Sequence, residues 1–92
     1  MANVVVTIKV MPESVELDLE ELQLRVLSKV KDFAGDTDSK VEIEPIAFGL
    51  KALRIMFVLD ESKGSTEVLE DSISHLDGVQ SIEVVDVRRA VG

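Results

Sequence analysis

Ala52-Leu53-Arg54-Ile55-Met56-Phe57-Val58-Leu59 alternates with a period of two: Leu53, Ile55, Phe57 and Leu59 on one side, Ala52, Arg54, Met56 and Val58 on the other. That period is a strand's. The segment is largely apolar on both faces, which suits a strand with neighbours on each side. Upstream, Lys40-Val41-Glu42-Ile43-Glu44 also alternates, with Val41 and Ile43 inward. Pro45 interrupts it, as an edge strand tolerates. Ile46 to Leu50 connects the two strands.

Farther upstream, Leu19, Leu22, Val26, Val30 and Phe33 recur at three- and four-residue steps, and Leu27 widens the stripe. Asp18 with Glu21 has capping-box spacing, and Gly35 stands where such a helix stops. Glu20, Arg25 and Lys29 fall on or beside its outer face. Val4 to Val10 is a β-branched strand that puts Val4, Val6, Ile8 and Val10 on one face and Val5, Thr7 and Lys9 on the other. Pro12 ends it. Downstream, Asp60 to Gly64 reads as a turn. Ser65 can cap a shorter helix carrying Val68, Leu69, Ile73 and Leu76, with Gly78 at its end. Val79 to Val87 is the last strand, with Ile82 and Val84 on one face, and Arg88 to Gly92 remain as a tail.

The order is strand, helix, strand, strand, helix, strand. With right-handed crossovers it predicts an α+β, ferredoxin-like β-α-β-β-α-β sandwich, a four-stranded antiparallel sheet with both helices on one face and the first and third strands central. The 92 residues suffice for one domain.

Composition excludes several function classes. The chain has no Cys, one His, and 18 acidic against 10 basic residues, a net charge of −8. Disulfides, thiolate chemistry, Fe–S clusters and multi-His metal sites are out of reach. The charge opposes a sequence-independent grip on nucleic acid and suits a basic or neutral partner. RNA-binding members of this fold class present aromatics on the open sheet face. Here the three aromatics are all Phe, and Phe33 and Phe57 read as core. No segment approaches a membrane span or a signal peptide, so a cytoplasmic protein is expected. Hydrolase signatures and glycine-rich phosphate loops are absent. His75 has no orienting partner and reads as a surface histidine. Glu16, Asp18, Glu20 and Glu21 read as a solvated helix start complementing the macrodipole. No cofactor is expected.

Two features carry more. If the alternation of Val41 and Ile43 continues past Pro45, Ala47 and Gly49 face the core and Ile46 and Phe48 face solvent, the shape of an interface anchor. If a bulge at Pro45 shifts the register, Phe48 is buried. The open sheet face, with Val5, Thr7, Lys9, Arg54, Met56 and Val58, is apolar enough to suggest docking. Arg88-Arg89 is the basic spot near the end, although two charges alone establish nothing.

Pro45-Ile46-Ala47-Phe48-Gly49-Leu50-Lys51-Ala52-Leu53 closely resembles the I-x-F-G-[IL]-K-x-L stretch of the elongation factor 1-beta family. Lys9 and Pro12, Asp18 to Leu22, and Gly78-Val79-Gln80-Ser81 match other landmarks in order, so the resemblance spans the chain. It implies the same fold and a compact, archaeal-type form without the long N-terminal extension of eukaryotic members. It also implies a guanine-nucleotide exchange factor for elongation factor 1-alpha, acting without covalent chemistry by disturbing the Mg²⁺ and phosphate end of the nucleotide site. A monomer when free is expected. Phe48 matches the family's interface phenylalanine. Gly49 and Lys51 share that segment, with Lys51 as a rim contact. Eukaryotic-type endings place a near-terminal Lys toward the Mg²⁺ site; an ungapped match from Gln80 puts Arg89 there, and Arg is not a simple substitute for Lys. That leaves Arg89, Arg88 or neither as the intruding cation, with tail sterics as a further alternative.

The rival reading is a small-molecule-sensing regulatory domain of the same fold that dimerises through its sheet. Such domains hold an effector at a helix-turn glycine near the first strand, and no glycine occurs between Met1 and Phe33. An acylphosphatase-like enzyme lacks its anion cradle, because the first loop reads Pro12-Glu13-Ser14.

Overall fold

The structure is a computed structural model and describes residues 3–35, 38–63 and 65–89. Strand β1 spans Asn3–Pro12, helix α1 Leu19–Ala34, β2 Ser39–Pro45, β3 Lys51–Asp60, helix α2 Glu67–Ser74 and β4 Val79–Arg89, with a short 3₁₀ turn at Glu61–Lys63. The sheet order is β2-β3-β1-β4, and every pairing is antiparallel. The predicted β-α-β-β-α-β order and the central placement of β1 and β3 hold.

Register explains the layers. Val6 faces Phe57, Ile8 faces Ile55 and Val10 faces Leu53, so the central strands turn one apolar face to the same side. Leu22, Val26 and Val30 of α1 and Leu69 and Ile73 of α2 close over that face in one buried cluster. The stripe predicted for α1 is the stripe that packs, with Ala34 added at its end and Leu19, Leu27 and Phe33 partly buried. Asp18 caps α1: its carboxylate accepts from the backbone N–H of Glu20 at 3.0 Å and of Glu21 at 3.3 Å. The Glu21 side chain pairs with Arg25. At the edge, Val41 and Ile43 do lie on the helix side, opposite Ile55 and Leu53, but Ile43 is 50% exposed because β2 lies at the rim of the layer.

The structure differs from the sequence reading at several element ends. Arg88 and Arg89 are not tail residues: they close β4 and pair with Val5 and Val4. A register shift lets them do so. Ile8 pairs with Val84 and Thr7 with Asp86, so Val85 is an extra residue that bulges, and β4 stays paired beyond it. At α2 the cap position falls to Thr66, whereas the Ser65 hydroxyl accepts from the Glu67 N–H at 3.1 Å. His75 lies just past the end of α2, and Val68 points outward. Residues 36 and 37, Gly64 of the turn read at Asp60 to Gly64, and residues 90–92 of the expected tail lie outside the described residues. No helix among the described residues is long and apolar enough to cross a membrane.

Candidate functional site

An antiparallel sheet in this order gathers its connections at two ends. The β1–α1 loop (13–18), the β2–β3 turn (46–50) and the turn before β4 (75–78) lie at one end. The β3–α2 connection and the last residues of β4 lie at the other.

Phe48 stands at the tip of the first end and is 97% exposed. Its exposure does not come from strand alternation. The chain leaves the ladder after Pro45 and turns through Phe48 (φ 58°) and Gly49 (φ 80°). The Leu50 N–H donates to the Ala47 carbonyl at 3.1 Å, and the Ile46 N–H to the Leu50 carbonyl at 2.7 Å. Two successive positive φ values are what a type I′ hairpin turn requires. The expectation that Ala47 and Gly49 face the core is therefore overturned: both are exposed, because the turn breaks the two-residue period. The bulge that would bury Phe48 is likewise not what forms. Glycine is at home at Gly49. Phe48 is not, since a bulky L-residue in the left-handed region costs about 1 kcal/mol. The chain thus holds its largest exposed apolar side chain on a backbone that does not favour it.

Lys51, the first residue of β3, is exposed beside this turn and pairs with Pro45. It lines a cleft of about 330 Å³ together with Gly49, Pro12, Asp18 and Val15 of the neighbouring loop. Val15 is the residue the sequence reading missed. It is apolar between Ser14 and Glu16 and precedes the Asp18 cap, so α1 does not account for it, which is the signal that could have marked it.

Arg88 and Arg89 stand at the opposite end. Arg88 pairs with Val5, which pairs with Val58, and Val58 lies seven positions along β3 from Lys51, about 23 Å. The candidate residues therefore form two separate groups. Each guanidinium already has a carboxylate: Arg88 Nε lies 2.8 Å from Asp86 Oδ2, and Arg89 Nη2 lies 2.6 Å from Glu61 Oε1. Both pairs are largely exposed, so each contributes little to stability.

The open face between the ends is mixed. Thr7 is buried there, and Val5, Met56, Val58 and Lys40 line a shallow groove of about 200 Å³. Nearer the Phe48 end, Glu44 sits between Lys9 Nζ and Arg54 Nη1, each at 3.1 Å. Hydrogen bonds from Lys9 and then Arg54 hold its carboxyl below its ordinary pKa. The apolar character expected of this face is thus divided by charge. His75 is exposed, its Nδ1 2.7 Å from the Asp71 carbonyl oxygen. Among the described residues no three His, Asp or Glu side chains are grouped to hold a metal ion.

The fold recurs in solved structures. A de novo designed protein, Foldit4, superposes with a TM-score of 0.62 at 24% identity, covering 98% of both chains. The ACT domain of GTP pyrophosphokinase from Chlorobium tepidum does so with a TM-score of 0.60 at 15% identity, covering 90% of this chain and 99% of that one. At such identities the likeness concerns fold alone. Sequence relatives are much closer. Elongation factor 1-beta of Methanothermobacter thermautotrophicus is 48% identical over 97% of this chain and 98% of its own length. That of Staphylothermus marinus is 43% identical over the same shares. The model of the EF-1 guanine nucleotide exchange domain matches residues 5–90, from the first strand through both groups of candidate residues. The chain belongs to the elongation factor 1-beta family, translation elongation factors built on the EF-1 guanine nucleotide exchange domain.

Proposed function

We propose that this chain promotes exchange of GDP for GTP on elongation factor 1-alpha, in the cytoplasm, by protein–protein contact and without covalent chemistry. The observation that carries the reading is Phe48, a fully presented aromatic on a turn its backbone disfavours. Backbone strain that neither packing nor turn chemistry accounts for points to use elsewhere, and an aromatic entering a pocket is the usual form of an interface hot spot. Family membership supplies the activity, and the match runs through Phe48, Gly49 and Lys51.

In this reading the Phe48 end docks, with Lys51 at its rim, and the Arg88/Arg89 end meets the Mg²⁺ and phosphate side of the nucleotide site. Separation by most of the sheet's length suits a factor that bridges two domains of a GTPase. A cation brought beside Mg²⁺ competes with it for the phosphate oxygens, so GDP loosens. Linkage closes the cycle: a factor that weakens nucleotide binding is itself bound more weakly, by the same ratio, once nucleotide returns. The test is release of a fluorescent GDP analogue from elongation factor 1-alpha in excess unlabelled nucleotide. Strong acceleration by this chain is expected; release at the spontaneous rate, with both proteins folded, would end the reading.

A further inference from the structure

We infer that the docking end is composite: Val15, on the β1–α1 loop, is a second apolar anchor that enters the partner alongside Phe48. The inference rests on the docking role proposed for Phe48 and adds a residue from a different loop to it.

The two loops meet. Val15 Cγ1 lies 3.8 Å from the position a Cβ on Gly49 would take, an ordinary van der Waals distance, and Val15, Gly49 and Lys51 line the same cleft. Val15 is nevertheless 59% exposed. Its loop does not need its side chain. The Glu13 N–H donates to the Gly78 carbonyl at 2.9 Å, the Ser14 hydroxyl accepts from the Glu16 N–H at 3.0 Å, and Asp18 caps α1. Leu17 supplies the loop's apolar fastening, packed so tightly on Gly78 that a Cβ there would stand 3.0 Å from it. The loop is thus tied at both ends, and Val15 is left over, turned toward the Phe48 turn.

Single exposed apolar residues are ordinary. Here Val15 adjoins Gly49 of the turn that also carries the exposed Phe48 and Ile46. Because both loops are held by backbone hydrogen bonds, the patch is preordered, and little conformational entropy is lost on docking. Asp18 lines the same cleft, and Glu13 and Glu16 of the Val15 loop are exposed. The matching surface is therefore an apolar pocket on the GTPase with basic groups on its α1-facing rim.

The test is binding to nucleotide-free elongation factor 1-alpha, measured by calorimetry for Val15→Ser, Val15→Ile, Phe48→Ala and the double variant Val15→Ser/Phe48→Ala, with Leu24→Ser on the outer face of α1 as control. Val15→Ser should weaken binding about fivefold with an unchanged melting temperature, and Val15→Ile should retain it. The double variant should lose less than the product of the single losses, because the two side chains share one pocket. Wild-type affinity in Val15→Ser, with Phe48→Ala weakened, would leave Phe48 as a lone anchor and overturn the inference. Wild-type affinity in Phe48→Ala would instead overturn the docking role beneath it.

Discussion

At one end of the sheet a single aromatic ring is presented to solvent on a left-handed turn; at the other, two guanidinium groups close a strand and are already matched with carboxylates. The first end holds an unsatisfied group, an apolar surface with nothing to cover it, and its gain on binding is desolvation. The second holds groups whose charges are locally balanced. Those must exchange one anionic partner for another, so any gain there is a difference between two electrostatic contacts and falls with salt. This contrast suggests a division of labour in which the apolar end supplies affinity and the charged end acts on the nucleotide site.

Phe57 and Phe48 give the widest contrast. Phe57 is 1% exposed, at the centre of the cluster that holds both ends in place. Phe57→Ala should cost about 3–5 kcal/mol in urea unfolding and remove both functions together. Phe48→Asn should do the reverse. Asn-Gly is the preferred pair for a type I′ turn, so the variant should gain about 0.5–1 kcal/mol of stability. At the same time it should weaken docking about thirtyfold, the scale of a hot spot. A variant that is more stable and less active separates turn chemistry from function; equal losses of both would mean the ring is structural.

Arg88→Ala/Arg89→Ala should change stability by less than about 0.5 kcal/mol, since both ion pairs are exposed. It should slow catalysed GDP release about tenfold at low salt and by less as salt rises, read from release rates across a salt series. The smallest effect concerns Glu44. Its carboxyl is held below its ordinary pKa by Lys9 and Arg54. The stabilisation is therefore complete above the ordinary value and is lost as pH falls through the lowered one. Glu44→Gln should flatten the acid limb of a melting-temperature profile below about pH 4.5 and leave exchange at neutral pH unchanged.

The layered fold was legible because alternation at Val4 to Val10 and Leu53 to Leu59, and the three- and four-residue steps behind Asp18, each point to one packing. The residue pattern left the exposure of Phe48 open, and the alternation that would have exposed it is not what the chain follows. Alternation cannot show where a chain leaves the ladder, and the Phe48-Gly49 turn does not carry the Asn-Gly or Asp-Gly signal that marks such turns. The strand role of Arg88 and Arg89 was hidden by their charge, which resembles a solvated tail; the bulge at Val85 that keeps them paired has no composition of its own. Val15 went unread because its meaning lies in contact with a loop 34 residues away.

The most direct test is the rate of catalysed GDP release as a function of the concentration of this chain, for wild type, Phe48→Asn and Arg88→Ala/Arg89→Ala. The division of labour predicts that Phe48→Asn raises the half-saturating concentration and preserves the maximal rate. It predicts that the arginine variant lowers the maximal rate at an unchanged half-saturating concentration. Both variants shifting the same parameter, or Phe48→Asn lowering the maximal rate alone, would contradict it.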